Sequence, residues 1–111
     1  MSKKTKEELI TKILTDPEIK LIKAMLEKDH AIDCLFLLSM DKGRWKAAKT
    51  FMRKNDLTLS DGTFRSRMIE MENLGFAKST PIDPLKKHYK KTEKGEKLVK
   101  SLLALFEQIA E

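Results

Sequence analysis

With 111 residues, 41% of them hydrophobic, the chain is long enough to bury one core without disulfides and too short for two, so a single domain over 1–111 is expected. No run approaches the ~18 apolar residues of a membrane span, the opening MSKKTKEEL has no apolar leader segment, and the lone Cys34 excludes an internal disulfide, so a cytoplasmic protein without membrane contact is expected. The 23 Lys and Arg against 17 Asp and Glu leave a formal charge of +6, which suits a polyanionic partner such as nucleic acid.

Thr5 with Glu8 forms a capping box ahead of Leu9, Ile10, Ile13 and Leu14 at helical spacing, which predicts a short first helix. Asp16-Pro17 is a second start signal, and Ile19, Ile22, Met25 and Leu26 form the stripe of a helix reaching about Lys28. Ala31 to Ser39, AIDCLFLLS, is apolar on nearly every side and reads as the central buried helix. Whether 17–40 is one helix or two, interrupted at Asp29-His30, stays open at this level. After a turn at Asp41–Gly43, the apolar positions Trp45, Ala48, Phe51 and Met52 predict another helix, with Lys46, Lys49, Arg53 and Lys54 outside.

The stretch from Leu57 to Phe76 carries the clearest signals. Ser60 is an N-cap, Asp61 suits the positive end of the helix dipole, and Gly75 is a left-handed stop, which predicts a helix over about 60–74. Phe64, Met68 and Met71 fall on one face, while Gly62, Ser66, Ile69 and Asn73 lie opposite, flanked by Thr63 and Arg65. FAKSTPI and KHYKKT, separated by the turn Asp83-Pro84-Leu85-Lys86, predict a hairpin over about 76–92 with a basic return strand. Thr92 then caps a last helix, with Leu98, Leu102, Leu105 and Ile109 in one stripe widened by Val99, Leu103 and Phe106. The fold class is therefore mainly α with a small β-hairpin.

Thr63-Phe64-Arg65-Ser66-Arg67-Met68 with Met71, Leu74, Gly75 and Phe76 resembles the recognition-helix signature of MarR-, ArsR- and PadR-type transcription regulators, small archaeal members included. Tyr89 to Lys97, YKKTEKGEK, is similar to the Y-x-L-T-x-x-G that closes the wing in those families, with Lys91 in place of the apolar residue. The turn from Arg53 to Leu59 is longer than is usual there, and Ser66 stands where those proteins often carry arginine. The resemblance covers roughly Ala31 to Lys97. It implies a winged helix-turn-helix that binds double-stranded DNA, with the helix of about 60–74 in the major groove and the basic wing of about 76–92 on the backbone or in the minor groove.

Carried over residue by residue, the groove face is Ser60, Gly62, Thr63, Arg65, Ser66 and Ile69, with Arg67 nearer a phosphate; Lys86, Lys87 and Lys90 of the wing neutralise phosphates. Lys42, Arg44 and Lys46 are placed to touch backbone from the preceding helix. Asp61 and Glu70 oppose indiscriminate DNA binding. The terminal helices carry more apolar surface than a small domain covers, so Leu9, Ile10, Ile13, Leu102, Phe106 and Ile109 are expected at a homodimer interface that spaces two recognition helices about one DNA turn apart, the alternative being that they complete the monomer's own core. No nucleophile motif, phosphate loop or metal spacing appears, and His30, His88 and Cys34 are isolated, so neither catalysis nor a cofactor nor a metal is expected. The alternative function is a winged-helix module that docks another protein through the same terminal helices.

Overall fold

The computed structural model describes residues 5–110 as six helices and one antiparallel hairpin: α1 Lys6–Thr15, α2 Pro17–Leu26, α3 Ala31–Ser39, α4 Trp45–Lys54, α5 Asp61–Asn73, β1 Ala77–Asp83, β2 Lys86–Lys91 and α6 Glu93–Ala110. The starts follow the cap chemistry. Thr5 accepts from the Glu8 amide at 3.1 Å, Asp16 from Ile19 at 3.0 Å, Ser60 from Thr63 at 3.1 Å and Thr92 from Gly95 at 3.2 Å, so each side chain satisfies an amide the helix leaves open. Residues 17–40 form two helices, because His30 adopts a left-handed φ of 62° that a continuous helix excludes.

α3 is the hub. Cys34, Leu35, Leu37 and Leu38 are fully buried and meet Ala48 and Met52 of α4, Phe64, Met68 and Met71 of α5, and Val99 and Leu102 of α6. Trp45 leans on Phe64 with ring centroids 5.6 Å apart, which sets α4 against α5 at their N-terminal ends. Burial, then the charge of Asp33, raises the Cys34 thiol to about 12 and leaves it an inert core side chain. Leu102, expected at an interface between copies, belongs instead to this core, since the α6 stripe that contains it packs inward on α3.

The hairpin joins the helices mainly through backbone. Tyr89 donates its amide to the Gly43 carbonyl at 2.7 Å, Thr92 donates its amide to Phe76, and the Thr92 hydroxyl donates to the Gly75 carbonyl at 2.6 Å. These approaches leave no room for side chains: a Cβ on Gly43 would sit 1.8 Å from the Tyr89 carbonyl oxygen, and one on Gly95 2.2 Å from that of Phe76. Tyr89, at the start of the wing-closing motif, is buried at 4%, so all three residues of the Tyr89, Thr92 and Gly95 pattern have structural roles. Burial and the nearby Glu72 charge raise the Tyr89 phenol above its ordinary value, which keeps it neutral.

Within the hairpin the register runs Ala77 opposite Lys91, Lys78 opposite Lys90, Ser79 opposite Tyr89, Thr80 opposite His88 and Pro81 opposite Lys87, with an irregularity between Pro81 and Asp83. Ile82 is the extra residue, a β-bulge. Among the described residues no helix is long and apolar enough to cross a membrane.

Gly43→Ala is expected to lower unfolding stability by about 2–3 kcal/mol in urea denaturation, because the clash is with main chain that has nowhere to move.

Candidate nucleic-acid interface

α5 presents its outer face as expected. Arg65, Ser66 and Ile69 are exposed, Ile69 at 44%, and Gly62 is open enough that an added Cβ would meet nothing within 4 Å. No packing demand of the fold requires a glycine at this position. Ser60 and Thr63 are tied to each other, the Ser60 hydroxyl donating to Thr63 Oγ1 at 2.9 Å while it accepts the Thr63 amide. Their hydroxyls thus form the cap first and present only the remaining lone pairs and the Thr63 proton outward.

α5 carries three acids, Asp61, Glu70 and Glu72, against Arg65 and Arg67, and both arginines pair within the helix. Arg65 reaches Asp61 one turn earlier at 2.8 Å, in an exposed pair that water and salt weaken. Arg67 differs from its sequence assignment as a phosphate contact: its side chain is 14% exposed, its guanidinium holds Glu70 at 2.9 Å and donates to the Asp29 carbonyl at 3.2 Å, and Lys28 also binds Glu70 at 3.1 Å. Arg67 therefore fastens α5 to the α2–α3 turn and is removed from the candidate interface. The acid that seemed to oppose a polyanion, Glu70, is the partner of that inward arginine and is largely neutralised by it.

The unbalanced charge lies on either side of α5. Lys46, Lys49, Arg53 and Lys54 on α4, with Arg44 just before it, form no ion pair among the described residues, and α4 carries no acid. On the hairpin, Lys78, Lys86, Lys87 and Lys90 are all exposed and likewise form no ion pair among the described residues. Side chains alternate along a strand, so Lys86 and Lys90 share the outer face with Lys78, while Lys87 lies on the face of Tyr89 beyond the edge of the core. Lys78 and Lys90 stand directly opposite one another, a like-charge cross-strand pair that costs stability unless an anion sits between them.

Lys78 was not among the sequence candidates. A two-residue turn at Pro84-Leu85 with regular pairing would place Ser79 opposite Lys90; the bulge at Ile82 shifts the register by one and brings in Lys78. Two other lysines of the basic cluster are structural. Lys91 pairs with Glu96, and the hydrogen bond from Lys91 holds the Glu96 carboxyl below its ordinary value. Lys94 donates to the Leu74 carbonyl at 2.9 Å, pairs with Glu18 at 3.1 Å and lies 4.8 Å from the centre of the Phe76 ring.

Hairpin and α5 are locked together by Glu72, whose carboxylate accepts the Ser79 amide at 2.9 Å and its hydroxyl at 2.6 Å. Helix and lysine face thus move as one body. The remaining candidates lie apart from this surface. Leu9, Ile10 and Ile13 are 45–48% exposed on α1, which buries none of its residues, and Ile109 is 71% exposed near the end of α6. Phe106 is 43% exposed while its edge packs on Phe36 at 6.2 Å. An apolar groove of about 340 Å³ lined by Phe36, Met40, Phe51, Leu57 and Leu103 continues the exposed surface of α6.

Comparison with known proteins finds no matching family model, no matching curated protein and no matching solved structure.

Arg67→Ala is expected to cost about 1–3 kcal/mol of stability, since it strips a partly buried carboxylate of a partner, whereas Arg65→Ala costs less than about 1 kcal/mol. Parallel denaturant titrations measure both.

Proposed function

We propose that the chain is a winged helix-turn-helix protein that binds double-stranded DNA as a homodimer and regulates transcription, with α5 in the major groove and the hairpin as its wing. The observation that carries this reading is the unpaired lysine face of the hairpin, in particular Lys78 held directly opposite Lys90. A fold that spends stability to hold two like charges together is built to meet a polyanion. The order α3, α4, α5, hairpin, α6 supports the same reading, as does the division of charge. Cations on α4 and the hairpin position the protein on phosphates, and α5, which has no excess of positive charge, offers Gly62, Ser66, Arg65 and Ile69 to base edges. Arg65 exchanges Asp61 for a guanine edge at small cost, since the pair it leaves is solvent-exposed.

The homodimer has a quantitative support. A compact monomer of 12.8 kDa exposes about 6,300 Å², whereas this chain exposes 8232 Å², an excess of about 1,900 Å². Its radius of gyration is 15.9 Å against about 13 Å for a compact chain of this length. That excess exceeds the roughly 1,000 Å² per subunit at the lower end of obligate homodimers. An isolated ten-residue helix is marginal in water, so α1, with Leu9, Ile10, Ile13 and Leu14 half exposed, needs a second surface to cover it. Ile109 and Phe106 of α6 complete the face.

Two outcomes are expected. In a salt titration of binding to a mixed-sequence duplex, Lys78→Gln with Lys90→Gln flattens the slope of log affinity against log salt by about 2, while Gly62→Ala leaves the melting temperature unchanged or higher yet weakens binding; unaltered binding in both variants refutes the reading. By sedimentation the parent has the dimer mass, and Ile10→Glu with Ile13→Glu yields a folded monomer whose affinity falls by about 10²-fold through loss of the second half-site. A parent that sediments as a monomer and ignores duplex DNA supports the protein-docking module instead.

A further inference from the structure

The tip of the hairpin has a composition that neither folding nor phosphate binding accounts for. Leu85 is 86% exposed, the most exposed large apolar side chain among the described residues, and Ile82 is 51% exposed beside it. Pro81 and Pro84 are exposed as well, so the residues from Pro81 to Leu85 include four apolar side chains and one acid. Pro84 suits the second position of the turn, whereas Ile82 and Leu85 stand where a solvated hairpin end ordinarily carries polar residues. The acid is occupied internally: Asp83 Oδ1 accepts the Leu85 amide at 2.8 Å, an Asx turn that rigidifies the tip and takes up one lone pair of the carboxylate. The bulge at Ile82 adds a further irregular residue to the same apex. Behind the apolar end stand Lys86 and Lys87, then the Lys78–Lys90 pair, none of them ion-paired among the described residues.

We propose that Leu85 is an apolar wedge that enters the minor groove and partly unstacks a base step, with Lys86, Lys87, Lys78 and Lys90 gripping the phosphates on either side. The inference rests on the DNA-binding reading above and adds to it a way of selecting sequence. Groove-bound proteins insert Leu, Ile or Pro between base pairs and kink the duplex by about 20–90°. The unstacking cost is lowest at flexible pyrimidine–purine steps, so a wedge at the wing tip favours sites with such a step at a fixed distance from the bases that α5 meets. Charge decides in favour of DNA over a neutral protein groove: four lysines, Lys86, Lys87, Lys78 and Lys90, stand behind the tip against the single carboxylate of Asp83, and an apolar end with a net positive flank fits a surface that is anionic at its rim and apolar between its stacked bases. Glu72 fastens the hairpin to α5 through Ser79, so a kink at the tip is transmitted to the register of the helix in its groove.

The test uses the full chain and a mixed-sequence duplex with central TA steps, a fluorescent adenine analogue beside them, and a donor–acceptor pair at its ends. At low salt the parent is expected to raise the analogue's fluorescence and shorten the end-to-end distance. Leu85→Ala, at an exposed position that leaves the fold intact, loses both signals while its affinity stays within about threefold, because phosphate neutralisation supplies most of the binding. Leu85→Phe restores them. Binding by the parent with no fluorescence change overturns the wedge and spares the DNA reading, as does an undiminished signal from Leu85→Ala. Failure of the parent to bind duplex at any salt overturns both. Leu85-dependent binding to phosphatidylserine vesicles, without unstacking of DNA, overturns the wedge and assigns the tip to a lipid surface.

Discussion

Tyr89 N–H meets the Gly43 carbonyl at 2.7 Å, with no side chain at position 43 to hold the two backbones apart. The rest of the arrangement depends on that approach. It seats the return strand against the turn between α3 and α4 and carries the Tyr89 ring into the core. The second seam, where Thr92 takes the Gly75 and Phe76 carbonyls and Gly95 lies against Phe76, then fixes where α6 begins. A hairpin attached only by side chains would pivot; one attached by main chain at two points, and to α5 by the Glu72–Ser79 hydrogen bonds, does not.

On this rigid frame the protein separates two uses of charge. Where cations meet acids they hold elements together: Arg67 with Glu70 and the Asp29 carbonyl, Lys94 with Glu18 and the end of α5, Lys91 with Glu96. On α4 and the outer hairpin they form no ion pair among the described residues and account for the excess positive charge there. The net charge of +6 thus understates the asymmetry, because the pairing is concentrated on one set of residues and the excess on another. That sorting, more than the number of lysines, is the feature on which the proposed polyanion interface rests.

Apolar surface is sorted in the same way. α3 buries five of its nine residues and binds the core together, whereas α1 buries none. α1 instead carries four half-exposed aliphatic side chains, Leu9, Ile10, Ile13 and Leu14. The chain is also more extended, and exposes more surface, than a compact monomer of its mass.

Much of this was legible from local chemistry. Thr5, Asp16-Pro17, Ser60, Thr92 and Gly75 set helix boundaries within a residue or two of those observed, because caps and stops are interactions between near neighbours in the chain. The split between Phe64, Met68 and Met71 inside and Ser66 and Ile69 outside followed from helical periodicity for the same reason. What local patterns did not determine were matters of distant contact. Arg67 looks like a flank residue until the α2–α3 turn, thirty-eight positions away, supplies its acceptor, and Leu102 looks like Ile109 until α3 covers one and leaves the other. Lys78 acquires its partner only through the bulge at Ile82, a register shift that turn composition alone does not encode. Sequence by itself determined the elements and their faces, since these depend on spacing along the chain; tertiary structure alone decided which charges are spent and which remain free, since that depends on which elements meet.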